Sequence, residues 1–426
     1  MMFKANAAWA AEQDRLDELA GFRDRFFMPK RADGRDEIYL CGNSLGLQPK
    51  SVRDYLEQEL REWERLAVRG HFDAQRPWMP YHEFLTEHTA EIVGALPSEV
   101  VNMNTLTVNL HLMMVSFYRP TPERYKLLIE KPAFPSDRYA AESQLRFHGL
   151  DPAKALLEIG PREGETDIRD EDLYALIEKE GDAIALILLP GVQYYSGQVF
   201  YMAEITRLGH RKGCVVGFDL AHATGNLVMQ LHDWDVDFAV WCNYKYMNSG
   251  PGAVAGCFVH ERHHRAELPR FAGWWGHDKA TRFRMGPHFQ PIASAEGWQL
   301  SNPPILALAP ILASLDIFHD AGMQRLRAKS ERLTGYLEFL LRERLAQEIE
   351  IITPAEPSRR GCQLSLRVTS ASPIQGRQVF ETLESNGVTC DWREPDVIRV
   401  APAPLYNSFS DVWQFVEELE TALKRG

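Results

Sequence analysis

Two kinds of apolar pattern divide the chain. Some stretches carry apolar residues at three- and four-residue spacing, and others carry them in unbroken runs. Residues 7–22 show the helical spacing. Over residues 51–69, Val52, Leu56, Leu60, Trp63 and Leu66 fall on one helical stripe, with Gly70 placed as a stop. A run of proline and aromatic residues, RPWMPYHEF, follows. The middle of the chain predicts alternating strands and helices. Residues 125–130 form a short apolar run, and residues 184–189 a purely apolar one ending at Pro190-Gly191. A helical pattern over 202–212 closes at Gly213, and 214–218, 237–242 and 253–259 are further strand candidates. Unbroken apolar strands separated by helices predict a sheet buried on both faces and largely parallel. Ligands collect at the carboxyl ends of the strands in such sheets.

From about 305 to 345 the pattern is long and helical. Residues 363–369 (QLSLRVT) then alternate as a strand, and a helix over 374–386 closes at Gly387. Strands over 388–392 and 397–400 precede a final helix over 409–424. The prediction is a large α/β domain over residues 70–305 and a smaller α+β domain over 306–426. The N-terminal helices of residues 1–69 are expected to pack with the latter.

Composition narrows the class. The chain has 426 residues, 45% of them hydrophobic, enough for a substantial core. Its formal net charge of -12 argues against nucleic acid and against an anionic membrane surface. The cysteines are Cys41, Cys214, Cys242, Cys257, Cys362 and Cys390, with no CxxC pair, which predicts buried thiols in a reducing compartment. The N-terminus has acids every few residues and no signal-like apolar core. No run of about 18 apolar residues is present, so no membrane span is expected. The expected setting is cytoplasmic. There is no internal repeat and no low-complexity segment.

Candidate chemistry sits at the predicted strand ends. The segment DFAVWCNYK delivers Lys245 just past an apolar strand, and a glycine-rich turn, YMNSGPG, follows. A lysine so placed can form a Schiff base with an aldehyde cofactor. The segment VVGFDLAH delivers Asp219 and then His222. Pyridoxal 5'-phosphate (PLP) needs this pair, a lysine for its aldehyde carbon and a carboxylate for its ring nitrogen. The segment Asn104-Thr105-Leu106-Thr107-Val108-Asn109 comes just before the apolar helix LHLMMVSFY, where hydroxyls and free N–H groups suit a phosphate. Phe134-Pro135-Ser136-Asp137 follows the apolar run KLLIE and offers an aromatic for ring stacking. Singly, each has an ordinary explanation: a loop lysine, a helix cap, a core histidine, a turn. Together they favour the cofactor reading.

Nine segments, in order across nearly the whole chain, resemble the kynureninase family. They are GNSLG (42–46), GHFDAQRPW (70–78), LTVNLH (106–111), FPSD (134–137), GVQYYSGQ (191–198), GFDLAHATGN (217–226), NYKYMNSGPG (243–252), GWWGH (273–277) and RVAPAPLYNSF (399–409). The resemblance implies the aspartate-aminotransferase-like fold, type I of the PLP enzymes, and a homodimer with shared active sites. It implies PLP-dependent hydrolysis of L-kynurenine or 3-hydroxy-L-kynurenine to an anthranilate and L-alanine, in tryptophan degradation or NAD biosynthesis. By the same resemblance Lys245 is the Schiff-base lysine and Asp219 the ring-nitrogen partner, with His222 and Asp137 beside it. Phe134 stacks on the ring, Leu106 and Thr107 contact the phosphate, and Pro135 and Ser136 complete that wall. Tyr244 touches the phosphate and is a candidate proton carrier. Trp274 and Asn302 reach in from the second subunit, and Arg399 clamps the substrate carboxylate. His71, Ser301 and Asn302 form a polar set resembling the branch that accepts 3-hydroxykynurenine. No metal is implied.

Other readings use the same fold. An aminotransferase would share Arg399, and a cysteine desulfurase needs a reactive cysteine on a mobile loop, for which Cys362 is the candidate. A non-catalytic ligand sensor and a PLP-free Schiff-base lyase leave most of these residues idle.

Overall fold

The computed structural model describes residues 3–369 and 373–425. Residues 1–2, 370–372 and 426, which the two-domain reading includes, lie outside the described residues. The larger sheet has seven strands. In spatial order they are Val100–Asn102, Gly256–Val259, Phe238–Trp241, Val215–Asp219, Ile184–Pro190, Lys126–Glu130 and Leu156–Ile159. Neighbours from Phe238–Trp241 to Leu156–Ile159 pair in parallel, and Gly256–Val259 runs antiparallel to both of its neighbours. Parallel neighbours need a crossover, whereas an antiparallel pair can be joined by a loop. The segment from Trp241 to Gly256 holds no long helix, so the chain turns back directly. That turn places Lys245 at the carboxyl edge of the parallel strands.

The apolar run expected to be buried on both faces is so. Every residue of Ile184–Pro190 is buried. One core packs around this sheet on the side of Leu189, Phe218 and Trp241 and takes in Leu308–Phe318 of the helix Ile305–Ala321. A second lies on the opposite face, with Leu186, Phe238 and Met113. A separate core surrounds a four-stranded antiparallel sheet, Asp391–Arg393, Val397–Val400, Leu364–Val368 and Ile349–Ile351. Trp9, Ile38 and Leu40 belong to this last core, so N-terminal residues pack with the C-terminal part. Ile38–Tyr39 also pairs in parallel with Val388–Thr389.

Some boundaries differ from the sequence pattern, each for a local reason. The first helix is Ala7–Arg15 rather than 7–22. Asp17 accepts a hydrogen bond from the Leu19 N–H (3.0 Å) and pairs with buried Lys329 (2.7 Å), and this local turn competes with the helix. The next helix, Val52–Leu66, ends at Ala67, whose φ is +47°, and not at Gly70. Gly70 begins a further short helix beneath the Trp78 indole, where a Cβ would lie 2.5 Å from the ring. The long helical stretch is two helices, Ile305–Ala321 and Met323–Arg344, broken at Gly322 with φ +75°. Strands Val100–Asn102, Leu156–Ile159 and Ile349–Ile351 were not expected; they are short, and two of them are only partly buried. No single helix among the described residues is long and apolar enough to cross a membrane.

Candidate active site

The parallel strands end on one side, and their last residues meet there. Glu130, Pro190 and Asp219 close three strands, and the turn after Trp241 adds Tyr244 and Lys245. All five border a cavity of about 220 Å³. Lys245 Nζ lies 3.0 Å from His222 Nε2. His222 is buried, and burial, then the Lys245 charge, pulls its imidazole well below the usual histidine range. It is therefore neutral beside the lysine.

Asp219 is buried and accepts a hydrogen bond from the Ala221 N–H (2.7 Å). Burial raises its pKa, while that N–H and Lys245 favour its charged form. Asp137 adjoins it. Burial, then the charges of Asp219 and Glu130, hold Asp137 well above the usual carboxylate range. Asp137 Oδ1 and His222 Nδ1 are both buried without a hydrogen-bond partner.

The opposite end is built from two helix N-termini. Helix Leu106–Phe117 begins after Thr105, which makes no side-chain cap, so its first N–H groups are open at the cavity. Thr107 Oγ and Ser136 Oγ lie 2.8 Å apart. Helix Pro135–Phe147 starts directly after Phe134, with Pro135 in the first turn, where its missing N–H costs nothing. Phe134 is 42% exposed, so its ring face is free; Lys245 Nζ sits 5.9 Å from its centroid. Tyr194 meets the same ring edge-on at 5.3 Å.

Arg399 lies on the wall contributed by the four-stranded sheet and is 1% exposed. Its Nε donates to Asp391 (2.6 Å) and its Nη1 to the Tyr194 carbonyl (2.6 Å). Nη2 pairs with the same Asp391 oxygen. The guanidinium is held in one orientation by Asp391 and the Tyr194 carbonyl, at the cavity wall.

The cavity thus gathers Leu106, Thr107, Phe134, Ser136, Asp137, Asp219, His222, Tyr244, Lys245 and Arg399. Pro135 stands behind its wall. Trp274, Ser301, Asn302 and His71 do not border it. Trp274 lies in the turn Trp274–Gly276, 40% exposed, and Gly273 abuts Leu300, which brings Ser301 and Asn302 alongside. His71 meets Trp78 edge-on at 5.5 Å. The sequence reading passed over Asn43, Glu130, Tyr194 and Arg393, which also border the cavity. Asn43 and Tyr194 stand in two of the nine matching segments, GNSLG and GVQYYSGQ. Glu130 ends the run KLLIE, and Arg393 gave no signal.

These groups suit PLP. Asp219 and Asp137 offer a buried carboxyl pair for a protonated ring nitrogen, with one oxygen unpartnered. The open helix end, with the Thr107 and Ser136 hydroxyls, suits a phosphate. Phe134 presents a free ring face, and Lys245 an amine. Cys362 does not suit a desulfurase: it is fully buried, and burial pushes its thiol up to about 12, away from the reactive thiolate.

Known proteins agree. The kynureninase C-terminal domain family matches residues 326–419. A kynureninase of Koribacter versatilis is 61% identical over 416 residues, covering 97% of each chain. One of Myxococcus xanthus is 56% identical over 421 residues, covering 98% of each. The fold is shared with solved structures at much lower identity. An apo cysteine desulfurase from Thermococcus onnurineus NA1 superposes with a TM-score of 0.73 at 16% identity, covering 92% of this chain and 95% of its own. A C-DES variant with glycine covalently linked to its PLP cofactor superposes at 0.75 and 17%, covering 95% and 98%. The type I fold expected from the sequence is the one observed.

Proposed function

The chain belongs to the kynureninase family, and from that premise we propose that the cavity around Lys245 is where it cleaves its substrate. The reaction is the PLP-dependent hydrolysis of L-kynurenine or 3-hydroxy-L-kynurenine. Water enters, and L-alanine and anthranilate or 3-hydroxyanthranilate leave. The observation that carries the site assignment is the meeting of Lys245, His222, Asp219 and Asp137 in one cavity with Arg399 on its wall. PLP, joined through its aldehyde carbon to a substrate amine, draws electron density from the bonds at the α-carbon.

The chain's own residues do the rest. Lys245 is placed to hold a bound cofactor through its aldehyde carbon, and its amine, once released, would be the base that takes the α-proton. Neutral His222 accepts no proton itself and leaves Lys245 as the base. Asp219 would hold a bound cofactor's ring nitrogen in its protonated form, with Asp137 supporting it. Arg399 would bind the α-carboxylate through the N–H groups that Asp391 and the Tyr194 carbonyl leave free, and so fix the orientation of the α-carbon. Tyr244 borders the cavity, and burial raises its pKa, so it stays protonated and can donate at the departing carbonyl or the β-carbon.

The test uses the holoprotein with each substrate in turn, assaying alanine and the aromatic amine, with Tyr244→Phe alongside. Both products are expected from the wild type. Tyr244→Phe is expected to keep the cofactor's visible absorbance and to release product at least about tenfold more slowly. Release of neither product by a coloured, borohydride-reducible wild type would move the chemistry to another reaction. Unchanged turnover in Tyr244→Phe would remove the phenol from the proton path.

The reading includes a homodimer. Trp274, Ser301, Asn302 and His71 lie off the cavity within one chain, and a second copy is proposed to bring the first three, with His71, to the substrate ring and the cofactor. A polar set at the ring would favour the hydroxylated substrate, because a group built to pair with the hydroxyl is left unsatisfied by its absence. Two inactive variants, Lys245→Ala and a Trp274→Ala/Asn302→Ala double, are expected to regain activity when mixed under exchange. One hybrid site then holds both intact sets. No recovery in confirmed hybrid dimers would place these residues outside the site. The two-unit division, 70–305 holding the cofactor and 1–69 with 306–426 beside it, belongs to the same proposal. A separate core around the four-stranded sheet supports two units, while Leu19, Phe26 and Leu308–Phe318 pack in the core of the larger sheet and move the helix Ile305–Ala321 to the cofactor unit.

A further inference from the structure

Glu130 is a buried acid in the site for which the mechanism above has no use. It ends the strand Lys126–Glu130, pairs in register with Ile159, and is 4% exposed with its side chain on the cavity wall. Among the described residues no lysine, arginine or histidine lies within ion-pairing distance of its carboxyl. Nor does it share a hydrogen bond with another side chain. Charged surroundings come from each neighbouring element. Helix Pro135–Phe147 brings Asp137, strand Val215–Asp219 brings Asp219, and the loop after Pro190 brings the Tyr194 phenol. On the neighbouring strand, Glu158 is already paired with Arg138. Lys245 faces Asp219 and Asp137, and Arg393 and Arg399 are engaged with Asp391 on the far wall.

Three carboxyls therefore share one buried floor. If all three were ionised, like charges would face each other where water screens them poorly. The ring-nitrogen cation of a bound cofactor would balance one of them. We propose that Glu130 is a positioning residue that stays a neutral carboxylic acid at neutral pH. It thereby confines the negative charge of the floor to the Asp219–Asp137 pair that holds the ring-nitrogen proton. Burial pushes the Glu130 carboxyl up to about 8, against its own backbone N–H, which favours the charged form, and with a lesser push from the Asp219 charge. The sign follows directly. Glu130 is protonated below that value and ionises above it, so the floor gains a negative charge on the alkaline side. That charge would favour keeping the ring nitrogen protonated to higher pH.

The inference rests on the cofactor site proposed above, so the test first establishes that site. Borohydride must fix the cofactor to the Lys245 peptide of the holoenzyme; if it does not, the cofactor reading fails, whatever Glu130 does. The second step compares wild-type holoenzyme with Glu130→Gln by difference infrared spectroscopy. At about pH 7 the wild type is expected to show a protonated-carboxyl C=O band that Glu130→Gln lacks, and by about pH 9.5 that band should be gone. The cofactor's visible spectrum and its Kd should agree within about twofold between the two proteins at neutral pH and diverge above about pH 8. A Glu130 carboxylate band at neutral pH, in place of the acid band, overturns the proposal. So does a cofactor Kd already about tenfold weaker in a folded Glu130→Gln protein at neutral pH. Should Glu130→Gln not fold, ¹³C-glutamate labelling of the wild type replaces it. The acid band must move with the label and vanish on the alkaline side, and a spectrum without such a band rejects the idea.

Discussion

Replacing Lys245 with alanine is expected to lower kcat/KM for kynurenine by at least roughly 10⁴-fold, because the residue has two roles that no neighbour can assume. On the proposed assignment it would be both the amine that the substrate displaces and the base that takes the α-proton. His222, 3.0 Å from Nζ, is the nearest alternative base. Burial and the lysine charge hold its imidazole well below its ordinary range, so it is a weak acceptor while the lysine is present. In the variant that charge is gone but the burial remains, and no efficient substitution by His222 is expected. The phosphate end and the acid pair are untouched, so Lys245→Ala should still bind PLP. Borohydride should then leave no cofactor mass on the peptide. A variant retaining activity within about tenfold of the wild type would show that the α-proton is removed elsewhere and would remove Lys245 from the base role.

Lys245 and Asp219 were legible in the sequence because their signal is local. Each follows an unbroken apolar strand, and a parallel sheet brings the strand ends together whatever the loops do. The apolar run 184–189 identified its strand for the same reason: its burial is total, and no alternation had to be judged. Leu156–Ile159 was invisible because an edge strand is half-buried and carries no unbroken run. Gly70 misled because a glycine needed for close approach to Trp78 reads the same as a helix stop. Glu130 failed to register for a further reason. A glutamate after KLLIE looks like an ordinary polar strand end, and only the packing of Asp137 and Asp219 against one cavity shows that it lacks a cation. Arg393 is equally silent, since its place on the wall depends on the four-stranded sheet docking over strands more than a hundred residues earlier. His71, Trp274, Ser301 and Asn302 were singled out by resemblance alone. Within one chain nothing gathers them at the cavity.

The Arg399 geometry leads to the other large effect. Its guanidinium is almost wholly buried, and burial lowers its pKa, yet Asp391 beside it favours the charged form. Asp391 holds Nε and Nη2, and the Tyr194 carbonyl accepts from Nη1, so the guanidinium is fixed before a substrate arrives. A buried, pre-oriented guanidinium binds a substrate carboxylate more strongly than an exposed arginine does. Truncating one partner of a buried charge pair costs several kcal/mol, and Arg399→Gln should accordingly reduce kcat/KM by about 10²-fold or more. Most of the change should appear in KM, since the clamp acts on the carboxylate before and during bond cleavage alike. Arg399→Lys should recover only part of the loss, because an ammonium cannot reproduce the planar fork that Asp391 and Tyr194 hold in place. The decisive comparison uses kynurenine and its α-carboxamide. The wild type should prefer the acid strongly, and Arg399→Gln should nearly abolish that preference. If the preference survives, the carboxylate is bound by another cation. Arg393, whose Nε lies 3.1 Å from Asp391 on the same wall, would then be the group to test.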